Sequence, residues 1–133
     1  MSVARIGVSL EQELLSALDR FVEENHFANR SQAIRLLITN NLVEEKWESN
    51  EKVAGAISLV YDHHKRDLLN KLADVQHDYH DVILATQHFH LDHDNCLEII
   101  AVQGESAKLS LLANKLINLK GIHHGALTMS STE

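Results

Sequence analysis

The chain has 133 residues, a hydrophobic content of 44% and a formal net charge of −7. This length fits one ordinary domain or two small ones, and the apolar content is compatible with a packed core. The negative charge argues against binding of polyanions through an overall basic field, so any contact with DNA must use a small local group of donors.

No segment has the pattern of a membrane span or a signal peptide. A span needs about 18 consecutive apolar residues, and the first stretch of the chain lacks the basic-then-apolar order of a secretory signal. We therefore expect a cytoplasmic protein with no membrane partner. The single cysteine, Cys96, has no partner for an internal disulfide, which leaves a core thiol, a reactive thiol or a metal ligand.

The first ten residues have the alternation of a half-buried β-strand. One face is apolar and the other is free to face outward. The apolar positions are Ala4, Ile6, Val8 and Leu10, and the alternating positions are Arg5, Gly7 and Ser9.

Two amphipathic helices are predicted after this strand. Ser9 and Gln12 have the spacing of a capping box, and apolar residues at helical intervals follow them. A second helix is predicted to begin near Arg30, with Asn29 as its N-cap and Gln32 at the third helical position.

A strand and two helices of about 45 residues rarely bury enough apolar surface to be stable alone. The economical solution is a second copy, whose strand pairs antiparallel with the first while four helices close over the inner face. A two-stranded ribbon of this kind fits the major groove of DNA.

The order strand, helix, "NRSQAIR", helix resembles the ribbon-helix-helix family, whose intertwined dimers bind double-stranded DNA with their ribbon. The resemblance implies a DNA-binding and dimerisation domain over residues 1–48. The resemblance also implies a phosphate contact at the start of the second helix, which agrees with the affinity of a helix N-terminus for anions. An ordinary dimerisation hairpin with a solvated Arg5 is the alternative. The implied contacts are Arg5, Gly7 and Ser9 to bases, and Asn29, Arg30 and Ser31 to a phosphate.

The second half has the element order of a split βαβ, ferredoxin-like domain. The whole chain is therefore expected to be α+β, with the ferredoxin-like βαββαβ domain over residues 53–133. Gly121 is the predicted C-cap of its second helix. The predicted elements are a strand at 53–63, a helix at 64–80, strands at 81–91 and 95–104, a helix at 105–121 and a strand at 122–130.

The stretch "HFHLDHDNC", residues 88–96, concentrates histidines beside the only cysteine. In a hairpin centred on His93, antiparallel pairing sets His90 opposite Cys96 and His88 opposite Glu98, so that two imidazoles and the thiol share one face. A fourth ligand would come from elsewhere, for instance His77 or His80. This donor chemistry suits nickel, copper or zinc and does not choose among them. The alternative is a buried cysteine among surface histidines.

The segments "YDHHKRDL", "QHDYHD" and "HFHLDHDNCLEI", behind a ribbon-helix-helix pattern, closely resemble the nickel-responsive transcriptional regulator family (NikR) over nearly the whole chain. The resemblance implies that the second domain is ACT-like and serves metal binding and tetramerisation. It implies a homotetramer, a dimer of dimers, that represses nickel uptake genes by binding an operator when nickel is present. The implied ligands of Ni(II), with one ion per subunit, are His88, His90 and Cys96 of one subunit and His77 of another.

Several further residues lie at positions where the family pattern implies a role. Lys65 and Arg66 match its "KRDL" segment and are expected either to touch the DNA backbone or to be a solvated pair. Where some members carry acidic residues that bind an additional cation, this chain has Gln32 and Leu36, which puts that cation site in doubt. The other histidines are expected to form weaker accessory metal sites or polar surface: His63, His64, His80, His93, His123 and His124.

Two other functions remain open at this level. One is a DNA-binding sensor of a different metal, zinc, copper or cobalt, or of a small ligand. The other is a metalloenzyme, which would need an open coordination position and a nearby general base. Because no acid-base pair or nucleophile motif is visible, we expect a protein that is not an enzyme.

Overall fold

The computed structural model describes residues 2–132. The chain divides into two compact units, Met1–Asn41 and Leu42–Glu133. None of the helices in the described residues combines the length and apolarity needed to cross a lipid bilayer.

The first unit contains helix α1, Gln12–Glu24, and the beginning of helix α2, Arg30–Glu48. Asn29 caps α2 as predicted, because its Oδ1 accepts a hydrogen bond from the backbone N–H of Gln32 at 2.9 Å. The Gln32 side chain reaches back to the N–H of Ala28 at 3.3 Å.

The predicted cap of α1 was wrong. The N-cap residue is Glu11, and it makes no side-chain capping bond. Ser9 lies before this position in a segment without regular secondary structure. Its hydroxyl therefore does not hold the reciprocal position that a capping box requires.

Residues 2–10 form no strand in this single chain, contrary to the sequence prediction. A β-strand needs a neighbour for its backbone N–H and C=O groups, and the partner predicted for this strand is a second copy of the chain. The apolar side chains of the segment are accordingly uncovered, with Val3 93% and Ile6 77% exposed.

The apolar face of the first unit is also largely open. Among residues 2–41 only Ala33 is fully buried. An apolar groove runs along this face, and Leu14 within it is 55% exposed. The residues lining the groove are Val8, Leu10, Leu14, Ala17, Leu18, Phe21, Ile34 and Leu37.

The second unit has the predicted order of strands and helices. Its four strands form one antiparallel sheet in the spatial order β2-β3-β1-β4, which is the ferredoxin-like arrangement. The elements after α2 are β1 (Lys52–Asp62), α3 (Arg66–Asp78), β2 (Ile83–His90), β3 (Asn95–Glu105), α4 (Ser106–Ile117) and β4 (Ile122–Ser130).

The end of α4 corrects another prediction. The helix stops at Ile117 with Asn118 as its C-cap, so Gly121 is not the capping residue. Gly121 instead occupies the turn before β4 with φ +106°, a conformation that favours glycine. A Cβ at this position would lie 3.0 Å from Leu68 Cδ2.

The core lies between α3, α4 and one face of the sheet. Alternate residues of the two central strands point into it, including Ile57 and Leu59 of β1 and Ile100 of β3, all fully buried. The end of α2 joins this core through Trp47, whose Nε1 donates to the Ser130 carbonyl at 3.0 Å. The Trp47 carbonyl accepts a 2.6 Å bond from Ser106 Oγ.

Candidate metal centre and DNA-facing residues

The β2–β3 hairpin aligns three side chains of the kind that bind transition metals. His90 is paired with Cys96 and His88 with Glu98, the register that strand alternation predicts. Cross-strand partners project to the same face of a sheet. His88, His90 and Cys96 therefore share the face that also carries the helices.

The thiol and the imidazoles differ in exposure. Cys96 is buried, with 3% of its surface exposed, whereas His88 and His90 are exposed on an edge strand. The open edge makes the imidazole side of the site accessible to a ligand from outside the chain.

Glu98 is a buried carboxylate directly beside this site. Its Oε1 accepts a 2.6 Å hydrogen bond from the Tyr61 hydroxyl, and its Oε2 accepts a 2.7 Å bond from the side-chain amide of Gln76. His88 Nε2 lies 3.3 Å from the same Oε1. A carboxylate at one ring nitrogen fixes the orientation of an imidazole and leaves the other nitrogen for a different partner.

Tyr61 completes this polar layer from the neighbouring strand. It pairs with Cys96 across β1 and β3 and is 1% exposed. Burial raises the pKa of the Tyr61 hydroxyl, and the hydrogen bond to Glu98 raises it further. The hydroxyl therefore stays protonated and remains a donor to Glu98.

His77 lies on α3, one residue after the Gln76 that contacts Glu98. Its ring is exposed and stacks on that of His80 with the centroids 6.0 Å apart. Together with Thr86 of β2, it lines a cleft between α3 and the sheet edge.

The hairpin residues are aligned but not drawn together in this single chain. Among residues 2–132, only one group of three potential ligands has all its donor atoms within 4.8 Å of one another, and that group is His64, His93 and Asp94. The donor atoms of His88, His90 and Cys96 therefore do not all lie within 4.8 Å of one another.

The residues predicted to face DNA bases lie on the surface of the first unit. Arg5, Gly7 and Ser9 are all exposed. A Cβ built at Gly7 meets no atom within 4 Å, so the absence of a side chain there is not required by packing.

The residues predicted to hold a phosphate are at the start of α2. Asn29 uses its side chain as the helix cap, and Ser31 is exposed. Arg30 makes two hydrogen bonds to Asp19, from Nε to Oδ1 at 2.8 Å and from Nη2 to Oδ2 at 3.0 Å. The bond from Arg30 lowers the pKa of Asp19 below its ordinary value. The start of α3 carries the other two predicted contacts, Lys65 as its N-cap residue and Arg66 as its first residue, both exposed.

Comparison with known proteins decides the family. Residues 54–130, more than half of the chain, match the family model described as the NikR C-terminal nickel-binding domain. The chain belongs to the NikR family. Because this is a family of regulators, the expectation that the protein is not an enzyme is confirmed.

Relatives extend the similarity to the NikR proteins across nearly the whole chain. A protein of Syntrophus aciditrophicus, provisionally named a nickel-responsive regulator, is 54% identical over 128 residues, which cover 96% of this chain and 93% of the relative. A protein of Chlorobium phaeobacteroides with the same provisional name is 49% identical over 131 residues and 98% of each chain.

A solved structure supports the fold alone. The uncharacterized protein TM1266 of Thermotoga maritima superposes with a TM-score of 0.54 at 12% identity. The match covers 59% of this chain and 98% of that protein.

Two residues of this NikR-family site were not predicted from the sequence, Tyr61 and Gln76, which both donate hydrogen bonds to Glu98. His63 was expected only as an accessory metal ligand or polar surface, and its ring lies edge-on to that of His90 with the centroids 4.8 Å apart. The alternation of apolar residues in β1 predicts that Tyr61 lies on the buried face of the sheet. Its position opposite Cys96 requires the register of two strands far apart in sequence.

Proposed function

We propose that this chain is a nickel-dependent, DNA-binding transcriptional repressor. Ni(II) binding in the ferredoxin-like, ACT-like domain at 53–133 enables the ribbon-helix-helix domain at 1–48 to bind an operator that controls nickel uptake genes. The observation that carries the proposal is the register of His88, His90 and Cys96 on one face of the sheet in a chain of this family.

The residues present fit a borderline transition metal. Two imidazoles and a thiol are typical donors for nickel, copper or zinc and unsuited to calcium or magnesium. The nickel named in the family description and in the relatives' names favours Ni(II) within that group, at one ion per subunit. When bound, the metal supplies a dipositive charge and links donors of different elements.

We assign the fourth ligand to His77 of another subunit. In its own chain His77 does not join a compact donor group with the hairpin residues. It is exposed, and so are His88 and His90 on the edge strand β2. A site shared between subunits couples ligand binding to assembly, because ligation favours those arrangements in which both subunits contribute.

Within the chain, Glu98 positions the site. It holds the His88 ring from one side and accepts a bond from Gln76, the neighbour of His77 on α3. These contacts connect α3, which carries the proposed inter-subunit ligand, to the β2–β3 hairpin, which carries the other three. Glu98 is expected to act through orientation of these side chains and is not itself a ligand in this proposal.

Two uncovered apolar faces support the proposed assembly. The groove of the first unit is large and open, and a second copy would cover it while pairing the two N-terminal segments into a ribbon. The sheet of the second unit has helices on one face only, and Phe89 and Ile99 are 45% and 37% exposed. Covering both surfaces with copies of the chain gives a dimer of dimers, which we place in the cytoplasm.

DNA contact is assigned to local donors in keeping with the net charge of −7. Arg5 and Ser9 flank Gly7 on the outer face of the proposed ribbon and reach base edges. The start of α2 offers backbone N–H groups to a phosphate, together with Asn29, Arg30 and Ser31. Lys65 and Arg66 add backbone contacts from the start of α3.

The first experiment is a Ni(II) titration followed by absorption spectroscopy. The unaltered protein should show a thiolate-to-nickel charge-transfer band that saturates at one ion per chain, and Cys96→Ala and His77→Ala should each lose it. His123→Ala, which alters an exposed histidine on β4, is the matched control and should keep the band.

The second part of the experiment measures DNA binding. A duplex selected from a randomised pool with the Ni(II)-loaded protein should bind with Ni(II) and lose most of its affinity without it. A response to Zn(II), Cu(II) or Co(II) in place of Ni(II) would favour a sensor of that metal. A spectrum indifferent to His77 would refute the inter-subunit site.

A further inference from the structure

The carboxylate of Asp19 is bound to a guanidinium group that we assign to a DNA phosphate. Arg30 is the first residue of α2, and it donates to Asp19 of α1 along one edge of its guanidinium, from Nε to Oδ1 at 2.8 Å and from Nη2 to Oδ2 at 3.0 Å. We propose that Asp19 limits the affinity of the first unit for DNA by competing with phosphate for Arg30. The inference rests on the function proposed above and adds a residue that sets the strength of DNA binding.

The first unit has few cationic groups, so the neutralisation of one of them has a large relative effect. Residues 1–41 contain four arginines, no lysine and five acidic residues. Contacts between cationic side chains and phosphates supply most of the sequence-independent affinity for DNA, because each contact releases counterions from the duplex. An arginine that is paired with a carboxylate brings no net charge to the phosphate. Asp19 therefore reduces an already small set of cationic donors.

The geometry of the pair makes Asp19 a direct competitor of a phosphate. Two parallel N–H···O bonds are the arrangement in which a guanidinium recognises either a carboxylate or a phosphate, so both anions can use the same edge of Arg30. The side chains of Arg30 and Asp19 are 56% and 50% exposed. Because exposed ion pairs are weak and screened by salt, a phosphate can displace the carboxylate.

Asp19 weakens the phosphate contact whether or not the ion pair opens. If Arg30 releases Asp19, two hydrogen bonds to the carboxylate are lost before the phosphate is bound. If Arg30 keeps Asp19, the phosphate approaches an ionised carboxylate, because the bond from Arg30 holds the pKa of Asp19 below its ordinary value. Both routes lower the affinity for every DNA sequence, since phosphate contacts do not read bases.

The opposite role for Asp19 is to orient Arg30 towards the phosphate. The carboxylate takes two of the five N–H donors of the guanidinium, so the remaining three could serve a second anion. Charge argues against this role, because an orienting carboxylate places a like charge beside the phosphate in a unit whose acidic residues already outnumber its arginines. The two roles predict opposite effects when the charge of Asp19 is removed.

The test measures the affinity of the full-length, Ni(II)-loaded protein for the selected duplex and for an unrelated duplex of the same length, at several salt concentrations. Asp19→Asn should bind both duplexes about three- to tenfold more tightly at low salt. The slope of log affinity against log salt should steepen by about 1–2 for the two copies in a dimer. Glu23→Gln is the matched control, because it removes an exposed charge one turn further along α1, and it should change the affinity less.

A double variant isolates the contact between the two residues. Arg30→Gln should weaken binding to both duplexes, because it removes the cationic donor. Asp19→Asn should give no gain in affinity when it is combined with Arg30→Gln, since its effect acts through that guanidinium. Circular dichroism of each variant checks that the exposed substitutions leave the fold intact.

The outcomes separate this inference from the function on which it rests. Binding that is unchanged or weaker in Asp19→Asn, or a gain that persists without Arg30, would overturn the role of Asp19 as a competitor. Failure of the proposed function takes a different form, because the unaltered Ni(II)-loaded protein would then bind neither duplex and the inference would fall with it.

Discussion

At the scale of single residues, Glu98 is the clearest case of a side chain whose role depends on its neighbours. It is 1% exposed, yet both carboxylate oxygens have hydrogen-bond donors, from Tyr61 and Gln76. A buried carboxylate is tolerated only when it is satisfied in this way. Each of its partners would in turn be left without an acceptor if Glu98 were truncated.

We expect Glu98→Ala to lower the free energy of unfolding by about 1–3 kcal/mol, because it leaves the buried Tyr61 hydroxyl without its acceptor. Glu98→Gln keeps a carbonyl oxygen for Tyr61 and should cost less. Lys120→Ala, an exposed residue in the turn before β4, should have little effect. Chemical denaturation at fixed protein concentration measures all three, and equal losses for Glu98→Ala and Lys120→Ala would contradict the role assigned to Glu98.

The pair of Asp19 and Arg30 predicts a pH effect in the first unit. Arg30 lowers the pKa of Asp19 in the folded chain, so the pair stabilises fully above the ordinary value of 3.8. The stabilisation is lost as the pH falls from there through the lowered folded pKa. Both side chains are at least half exposed, so we expect a small contribution to stability.

The measurement is an NMR titration of the Asp19 carboxyl group. Arg30→Gln should raise the Asp19 pKa back towards 3.8, whereas Arg20→Gln, on α1 and without a bond to Asp19 among the described contacts, should change it less. An Asp19 pKa that is the same with and without Arg30 would show that the pair does not form in solution. DNA bound at Arg30 would compete with Asp19 for the same guanidinium.

At the scale of elements, the sequence predicted contacts within a short stretch of the chain but not contacts between strands that are distant in sequence. The hairpin register of His88, His90 and Cys96 depends on alternation and one polar turn, both visible in a short stretch. The position of Tyr61 beside Glu98 depends on β1 lying next to β3, a pairing between segments distant in sequence. Alternation can give a residue's face, but it cannot give its neighbour on a strand that arrives from elsewhere.

The N-terminal segment shows a different limit. Its alternation is that of a strand, yet residues 2–10 form no strand in this chain. The alternation shows which face of the segment must be buried, but it does not show which molecule covers that face.

The starts of the two helices show a third limit of prediction from the sequence. Asn29 accepts a capping hydrogen bond at the start of α2. Ser9 has the sequence spacing of a capping box but does not lie at the N-cap of α1, which is Glu11.

The cap of α2 gives an element-scale prediction. Asn29→Ala removes the acceptor for the N–H of Gln32 and should lower the free energy of unfolding by about 1 kcal/mol. Asn29→Asp retains a carboxylate oxygen in the same place and should restore most of the loss. If Asp and Ala are equally destabilising in chemical denaturation, the side-chain cap does not operate.

The packing of β4 against α4 gives a second prediction at the scale of elements. A Cβ at Gly125 would lie 2.7 Å from Ile117 Cγ1 and 3.1 Å from Leu59 Cδ2, both in β-branched or buried side chains with little freedom to move. Gly125→Ala should therefore destabilise the second unit by about 1–3 kcal/mol. Gly7→Ala is the matched control, because nothing lies within 4 Å of its Cβ, and it should leave stability nearly unchanged.

At the scale of the whole molecule, we expect each of the two open apolar faces to be covered by a different contact between copies of the chain. The groove of the first unit and the outer sheet face of the second unit each expose large apolar side chains, with Leu14 at 55% and Phe89 at 45%. Surfaces of this kind are costly to leave in water and mark places of association. If one face makes dimers and the other joins dimers into a tetramer, a charge placed on each face should produce a different defect.

We expect Phe89→Glu to reduce the tetramer to smaller species in sedimentation analysis, because it places a charge on the outer sheet face. Leu14→Glu should abolish DNA binding while leaving association through the second unit, because a charge in the groove prevents the two N-terminal segments from pairing over it. Leu111→Glu alters an equally exposed leucine on α4, outside both faces, and should preserve the tetramer and its DNA affinity. Because we assign the thiolate-to-nickel band to a site shared between subunits, we expect it to weaken in Phe89→Glu and to persist in Leu14→Glu. A tetramer that survives Phe89→Glu with its nickel site intact would mean that the sheet face is not the surface that joins the subunits.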